Sequence, residues 1–220
     1  MSEQKIIQGD CLEVMKTFPD KSFDLVLTDP PYGINVGENT SAKEGRPGLL
    51  LRKKGYKDYA DTVKNFDEVV VPAIKECFRV AHRVMIFAVP PNMWKFPAPD
   101  AIGGVFVPAA VGRNKWGWTN FIHCLMYGSA PDVHLGSKPT GINVHSMAEK
   151  FEHPTVKPLS WLKWAVNLGS RPNERILDPF MGSGTTLVAA KLLNRNATGI
   201  EISPEYCKIA EDRLRQGVLL

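Results

Sequence analysis

The residues of this chain that could do chemistry begin with a short turn, Thr-Asp-Pro-Pro-Tyr-Gly, at positions 28–33. The turn follows the apolar run 23–27, which predicts a strand and places the turn at the carboxyl edge of a sheet. Two prolines fix their φ angles and lack N–H groups, which makes the turn stiff. Asp29 and the carbonyl of Pro30 could each accept one hydrogen of an exocyclic amine, while Tyr32 stacks on the ring that carries it. The turn therefore indicates a site for adenine or cytosine turned out of a nucleic acid, although these residue types also form ordinary strand-ending turns.

A second motif, Asp-Pro-Phe-Met-Gly-Ser-Gly-Thr-Thr, occupies residues 178–186. The apolar residues before it indicate a strand, and the alanine- and leucine-rich residues after it indicate a helix. This order is typical of nucleotide-type cofactor sites, because glycine lets the backbone approach the ligand and a helix N-terminus attracts an anionic group. Glu201 ends the next predicted strand about 20 residues later, where an acid binds the ribose hydroxyls of such cofactors. A glycine-rich helix start with a salt-bridged Glu201 is the structural alternative.

The spacing of the glycines argues against two other kinds of cofactor site. Gly182 and Gly184 lack the third glycine of the dinucleotide fingerprint, and no Gly-Lys-Ser or Gly-Lys-Thr follows them as in phosphate-binding loops. A nicotinamide-dependent oxidoreductase is therefore the generic alternative and not the favoured interpretation.

The two motifs together resemble those of the S-adenosylmethionine-dependent amino-methyltransferases of DNA. The turn at residues 28–33 (the catalytic turn) comes first, and the loop at residues 178–186 (the cofactor loop, also called the glycine loop) comes last. This order is similar to the permuted group of that family called the beta class, of adenine-N6 type. Residues 6–11 resemble the opening strand of this group, and residues 153–158 resemble its His-Pro-Thr-x-Lys-Pro segment. The resemblance covers roughly residues 4–36, 64–90 and 115–216.

The resemblance implies transfer of a methyl group from S-adenosylmethionine to the exocyclic N6 amine of adenine in DNA, by direct in-line attack on a flipped-out base. The N4 amine of cytosine makes the same hydrogen bonds and is an alternative target, although Asp at the first position of the turn goes mostly with adenine in the family. An RNA amino-methyltransferase is a further alternative, but such enzymes usually carry the cofactor loop before the catalytic turn. The catalytic residues carried over are Asp29, Pro30, Pro31 and Tyr32. The cofactor-binding residues carried over are Asp10, Cys11, Thr155, Lys157, Asp178, Pro179, Phe180, Gly182, Ser183, Gly184, Thr185 and Glu201.

The rest of the chain alternates apolar strands with helices. Continuous apolar runs predict strands at 83–89 and 121–127, and helical spacing of apolar residues predicts helices at 64–81, 158–168 and 204–215. The alternation is typical of an α/β fold, and with the resemblance it implies a Rossmann-like, doubly wound, mostly parallel seven-stranded sheet of methyltransferase type. The fold is expected to be circularly permuted, so that the N-terminal strand supplies the one that would otherwise follow Glu201.

One methyltransferase domain is predicted to span residues 1–220, with two stretches that do not fit the sheet. Residues 33–64 are rich in glycine and basic side chains, which indicates a solvated loop or a flap that orders over the flipped base and contacts phosphates.

Residues 128–152 correspond to the base-reading region of the family and are short, which favours relaxed specificity or a homodimer. Residues 113–118 combine Arg, Lys and two Trp, as single-strand binders do, although packing at a strand entrance is the more common role of such tryptophans.

The composition is that of an ordinary soluble protein, 44% apolar and 23% charged, with a net charge of +4 that suits DNA as a partner.

The four cysteines have no paired spacing and no histidine partner; they are Cys11, Cys77, Cys124 and Cys207. Their spacing predicts free thiols, no metal site and a reducing, cytoplasmic location. No signal peptide or membrane span is predicted. A restriction endonuclease acting on the same site is a further expected partner. Because both motifs are intact, a non-catalytic DNA-binding subunit is the less favoured interpretation.

Overall fold

The structure, a computed structural model, describes residues 2–34, 61–90, 92–108, 112–131, 138–144 and 157–216. The strands within these ranges are β1 (Gln4–Gln8), β2 (Phe23–Thr28), β3 (Ala81–Ala88), β4 (Ala101–Phe106), β5 (Gly112–Asn114), β6 (Gly117–Thr119), β7 (Phe121–Tyr127), β8 (Gly141–Asn143), β9 (Arg175–Asp178) and β10 (Asn196–Glu201). The helices are α1 (Cys11–Lys16), α2 (Val63–Asn65), α3 (Val71–Val80), α4 (Leu159–Gly169), α5 (Thr185–Leu192) and α6 (Pro204–Arg215). A π-helical turn (Phe66–Val70) joins α2 to α3, and a 3₁₀ turn (Asn92–Lys95) follows β3.

The main sheet has the strand order β1-β10-β9-β2-β3-β7-β4-β8. All neighbouring strands are parallel except β7, which is antiparallel to both β3 and β4. The predicted mostly parallel, doubly wound sheet is confirmed. It has eight strands in place of the predicted seven, because the three-residue β8 adds to the edge of β4.

The permutation places the two ends of the folded region side by side. β1 pairs in parallel with β10, with Gln4 opposite Ala197 and Gln8 opposite Glu201. The first strand of the chain therefore occupies the position next to the last strand, as the sequence predicted.

Two layers of buried side chains cover the two faces of the sheet. Leu25 and Leu27 of β2 point to one face and pack with α4 and α5, whereas Val26 points to the other and packs with α1 and α3. This alternation is that of a strand buried on both faces. All four cysteines are free and buried in these layers.

The two predicted motifs follow neighbouring strands, β2 and β9, whose next helices lie on opposite faces of the sheet. After β2 the chain continues to α2 and α3 on one face, and after β9 it continues to α5 on the other face. In open α/β sheets ligands bind in the crevice at the carboxyl ends of such neighbouring strands. Thr28 ends β2 and Asp178 ends β9, so this crevice lies between the two motifs.

The remaining predicted boundaries differ in detail. The helix predicted at 64–81 is divided by the π-helical turn at Phe66–Val70. Part of the predicted base-reading segment, Gly141–Asn143, is strand β8 of the main sheet. Residues 35–60 of the predicted insertion, and residues 132–137 and 145–152 of the predicted base-reading segment, lie outside the described residues. Among the described helices, each is too short or too polar to cross a membrane.

Candidate active site

A cavity of about 310 Å³ opens at the carboxyl edge of the sheet, at the junction of β2 and β9. Its wall contains these residues predicted from the sequence: Asp10, Cys11, Asp29, Pro31, Lys157, Asp178, Pro179, Phe180, Gly182, Ser183, Thr185 and Glu201. Three predicted residues lie beside the cavity: Pro30 and Tyr32 line a small apolar hollow against Phe66 and Phe87, and Gly184 begins α5. Thr155 lies outside the described residues. The structure thus brings residues of both motifs to one cavity, while their individual roles stay predictions.

The glycine loop adopts a backbone conformation that other residues rarely take. Gly182 has a φ of +53° and Gly184 a φ of +79°. A Cβ atom on Gly184 would approach Ala210 Cβ to 2.7 Å, so this glycine is required by packing against α6 as well as by its φ angle. A Cβ atom on Gly182 would meet no atom within 4 Å, because this glycine borders the cavity. The loop therefore exposes backbone to the cavity at Gly182.

Glu201 braces the glycine loop. One of its carboxylate oxygens accepts the N–H of Gly182 at 2.9 Å, and the other accepts the N–H of Ser203, also at 2.9 Å. A carboxylate oxygen has two lone pairs and can accept more than one hydrogen bond. The predicted ribose contact is compatible with this geometry and stays a prediction.

Arg213 of α6 holds the same loop from the other side. Its Nη1 donates to the carbonyl of Ser183 at 2.7 Å, to Ser183 Oγ at 3.0 Å and to Thr185 Oγ1 at 2.9 Å. The sequence did not predict this contact, because nothing near Arg213 in the sequence indicates hydrogen bonds to Ser183 and Thr185, which lie 30 and 28 residues earlier.

Asp10 and Cys11 form the cavity wall at the start of α1. Asp10 caps this helix, accepting the N–H of Leu12 at 2.8 Å and of Glu13 at 3.2 Å. Burial, assisted by the negative charge of Asp10, raises the pKa of the Cys11 thiol to about 12. Cys11 is therefore a neutral wall residue and not a nucleophile.

Asp178 connects the two motifs beneath the cavity. Its side chain is 3% exposed, and its Oδ1 accepts a hydrogen bond from Thr28 Oγ1 at 2.8 Å and from the N–H of Phe180 at 3.1 Å. Burial raises the pKa of Asp178 to about 6, and hydrogen bonds from Thr186, Thr28 and Phe180 oppose the shift. Since Thr28 directly precedes Asp29, this contact ties the catalytic turn to the cofactor loop.

Lys157 contacts the catalytic turn. Its Nζ lies 2.6 Å from Asp29 Oδ2 and 2.8 Å from Tyr32 Oη, and the Tyr32 hydroxyl donates to Asp29 Oδ1 at 2.5 Å. The same ammonium lies 5.2 Å from the ring centroid of Tyr32 and 5.6 Å from that of Phe87. Lys157 was predicted as a cofactor residue. It lines the cavity, but its two hydrogen-bond acceptors, Asp29 and Tyr32, belong to the catalytic turn, a contact that the sequence did not predict.

Two buried polar residues hold the catalytic turn from behind. Asn92 Nδ2 donates to the carbonyls of Tyr32 at 2.7 Å and Gly33 at 3.2 Å. Asp61 accepts the N–H of Gly33 at 2.7 Å and of Ile34 at 3.3 Å. Neither residue belongs to one of the two motifs. Each lies far from the turn in sequence, so its contact with the turn could not be predicted from a local pattern.

Comparison with known proteins identifies the family. The family model of DNA methylases matches residues 116–212. The putative methylase YubD of Escherichia coli (strain K12) is 32% identical to this chain over 96% of the chain and 89% of its own length. The type II methyltransferase M.HinfI of Haemophilus influenzae is 29% identical over 96% of the chain and 68% of its own length. The chain therefore belongs to the N6/N4 DNA methylase family, as the motifs predicted.

Solved structures share the fold. The M1.HpyAVI–SAM complex has a TM-score of 0.64 and 23% identity, covering 96% of this chain and 98% of that one. The PvuII DNA methyltransferase, described as cytosine-N4-specific, has a TM-score of 0.61 and 17% identity, covering 97% and 86% of the two chains.

The raised pKa of Asp178 predicts a pH-dependent stability. The folded state binds this proton more tightly than the unfolded state, whose pKa is near 3.8. The resulting stabilisation is complete below about pH 4 and is lost as the pH rises through about 6. Asp178→Asn removes the titrating group and keeps the shape. Between pH 4 and pH 7, its free energy of unfolding should therefore improve relative to the wild type by up to about 3 kcal/mol.

Urea denaturation of both proteins across this pH range measures the difference. Glu68→Gln, at a carboxylate whose side chain is 60% exposed, is the matched control and should show no such trend. A difference between Asp178→Asn and wild type that does not change with pH would refute the interpretation.

Proposed function

We propose that this protein transfers a methyl group from S-adenosylmethionine to the exocyclic N6 amine of adenine in DNA, acting on a base turned out of the duplex. The observation that carries the proposal is the shared cavity, whose wall contains both Asp29 of the catalytic turn and Gly182 of the glycine loop. Membership of the DNA methylase family supports the reaction class.

The cavity fits the cofactor. Its volume of about 310 Å³ lies in the range of small-molecule sites, and the bare backbone at Gly182 leaves room for close approach. Glu201, Asp10 and the glycine loop would hold the cofactor, which when bound supplies a methyl group on an electrophilic sulfonium. The remaining task of the protein is to align that methyl group with the target nitrogen.

Asp29 would activate the target amine. An exocyclic amine is a poor nucleophile because its lone pair is delocalised into the ring. Hydrogen bonds from its N–H groups to Asp29 and to the carbonyl of Pro30 favour a tetrahedral nitrogen and stabilise the positive charge that develops there. Tyr32 and Lys157 hold the two carboxylate oxygens of Asp29 in place before the base arrives. Because the amine attacks the methyl group directly, this chemistry requires no cysteine nucleophile, and burial raises the pKa of the Cys11 thiol at the cavity to about 12.

Adenine is the proposed base because the catalytic turn begins with Asp29, the residue type that goes mostly with adenine in the resembling family. Cytosine N4 is the second candidate, supported by the structural likeness to the PvuII enzyme. The homodimer and the restriction endonuclease partner expected from the sequence stay predictions.

The product identifies the reaction. Incubation of the protein with unmethylated duplex DNA and labelled S-adenosylmethionine, followed by nuclease digestion and mass spectrometry of the nucleosides, should yield N6-methyladenine. N4-methylcytosine would keep the mechanism and reassign the base. Methylation of RNA alone would show that the assigned substrate is wrong.

Substitutions in the two motifs should affect different steps. Asp29→Ala should lower kcat by about 10²–10³-fold or more, because it removes an acceptor that acts on developing charge, and should leave the Kd for S-adenosylmethionine within about threefold of wild type. Gly182→Val should raise that Kd, because valine is strained at a φ of +53° and projects into the cavity. Calorimetry measures the Kd, and methyl transfer at saturating cofactor measures kcat. Retained turnover by Asp29→Ala would remove Asp29 from the mechanism.

Lys157→Met should test whether Lys157 acts through Asp29 or through the cofactor. A hydrogen bond between charged groups contributes about 1.5–3 kcal/mol. If Lys157 positions Asp29, the loss of its hydrogen bond should lower kcat by about 10- to 100-fold, while the KM for S-adenosylmethionine changes little. The opposite pattern, with an unchanged kcat and a raised KM for the cofactor, would assign Lys157 to cofactor binding. Lys208→Met, at an exposed lysine of α6, is the control and should behave as wild type.

A further inference from the structure

An exposed aromatic hairpin stands outside the cavity. Strands β5 and β6 form a two-stranded ladder, Gly112–Thr119, in which Gly112 pairs with Thr119 and Asn114 with Gly117. The two residues at its tip are Lys115 and Trp116. Trp116 is 99% exposed and Trp118 is 70% exposed. We call Gly112–Thr119 the aromatic hairpin.

The aromatic hairpin rises from the catalytic edge of the sheet. It lies in the connection from β4 to β7, and the end of β4 pairs with the start of β7 as Phe106 opposite Phe121. Because β7 is antiparallel to β3, its start lies beside the carboxyl end of β3, where His123 faces Ala88. The carboxyl end of β3 in turn lies beside Thr28, the residue before Asp29.

The strand that follows the aromatic hairpin lies close to the strand that carries the catalytic turn. β7 is two strand positions from β2, which corresponds to about 10 Å at about 4.8 Å per strand. The aromatic hairpin is therefore connected to the sheet at the same edge as the cavity, two strand positions from β2.

Hydrogen bonds close the connection between β4 and β7 at its two ends. The N–H of Val107 donates to the carbonyl of Asn120 at 2.7 Å, and Asn120 Nδ2 donates to the carbonyls of Val107 at 3.2 Å and Pro108 at 3.1 Å. These hydrogen bonds join the two strands just before and after the connection that contains the aromatic hairpin.

The chemistry of the tip fits DNA. A tryptophan side chain has about 200 Å² of surface to bury, and its ring is a good stacking partner for any base. Lys115 beside it supplies a positive charge for phosphate, within a chain of net charge +4. Trp94, 69% exposed in the 3₁₀ turn that follows β3, adds a further aromatic side chain at this edge.

We propose that Trp116 inserts into the DNA next to the target base and stacks in the space that the base leaves, thereby stabilising its extruded state. This inference rests on the proposed function, because it assumes a duplex substrate whose target base enters the cavity. Side chains inserted between base steps offset the cost of unstacking in many DNA-distorting proteins.

The test compares wild type, Trp116→Ala and Trp116→Phe on two duplexes that contain the mapped methylation site. In one, the target base is paired normally. In the other, it lies opposite an abasic position, so that its extrusion costs less. On the normal duplex Trp116→Ala should lower kcat/KM by about tenfold or more, and Trp116→Phe by less. On the abasic duplex the deficit of Trp116→Ala should shrink to within about threefold of wild type.

A second readout follows the extrusion directly. With 2-aminopurine in place of the target base, the fluorescence increase on adding the wild-type protein reports unstacking, and Trp116→Ala should reduce it. Ile102→Ala, at an exposed apolar residue near the amino end of β4, is the control and should leave both readouts unchanged. The Kd of Trp116→Ala for S-adenosylmethionine should equal that of wild type.

Three results would overturn the inference. They are wild-type behaviour of Trp116→Ala on both duplexes, an equal deficit on both duplexes, and a change of oligomeric state on sedimentation with no effect on DNA. The proposed function fails by a different result, namely a wild-type protein that binds S-adenosylmethionine and methylates no DNA.

Discussion

The arrangement of the site depends on one buried carboxylate. Asp178 ends β9 and accepts a hydrogen bond from Thr28, which ends the adjacent strand β2. Asp29 directly follows Thr28, and the first glycine of the loop, Gly182, lies two residues after Phe180, whose N–H also donates to Asp178. The hydrogen bond between Thr28 and Asp178 therefore sets the position of Asp29 relative to the glycine loop. Burying a carboxylate is costly, which is why the pKa of Asp178 is raised to about 6. Methyl transfer depends mainly on the alignment of the reacting atoms, and a flexible connection between the two motifs would lose that alignment.

The cofactor loop is held from opposite sides by the last two elements of the described chain. Glu201 at the end of β10 accepts the N–H of Gly182, and Arg213 of α6 donates to Ser183 and Thr185. β10 is in turn covered by β1, whose following residue Gly9 donates its N–H to the carbonyl of Glu201 at 2.9 Å. The permutation therefore does not weaken the loop, because β1 provides from the other end of the chain the neighbour that β10 requires.

Local patterns were sufficient where the structure is local. The continuous apolar runs predicted β2, β3 and β7, and the two glycine- and proline-containing motifs predicted the turns at the cavity. The family resemblance, and not a local pattern, implied the further cavity residues Asp10, Cys11 and Lys157. β4 was missed because it contains Gly103 and Gly104, whose places are set by close approach. A Cβ atom on Gly103 would lie 1.8 Å from the carbonyl oxygen of Thr140. The supports Asp61 and Asn92 could not be predicted either, since they reach Gly33 across 28 and 59 residues of sequence.

The contact of Lys157 with Asp29 spans 128 residues of sequence and gives the Asp29 carboxylate a cationic partner. A carboxylate facing a cavity would otherwise be hydrated, and water would have to leave before an amine could bind. In this structure Oδ1 accepts from Tyr32 and Oδ2 from Lys157, and each oxygen keeps a second lone pair. In the proposed reaction, the target amine would meet a carboxylate that two donors already orient. The Asp29 carboxylate is thus oriented by one lysine side chain, whose ammonium in turn lies over the Tyr32 and Phe87 rings.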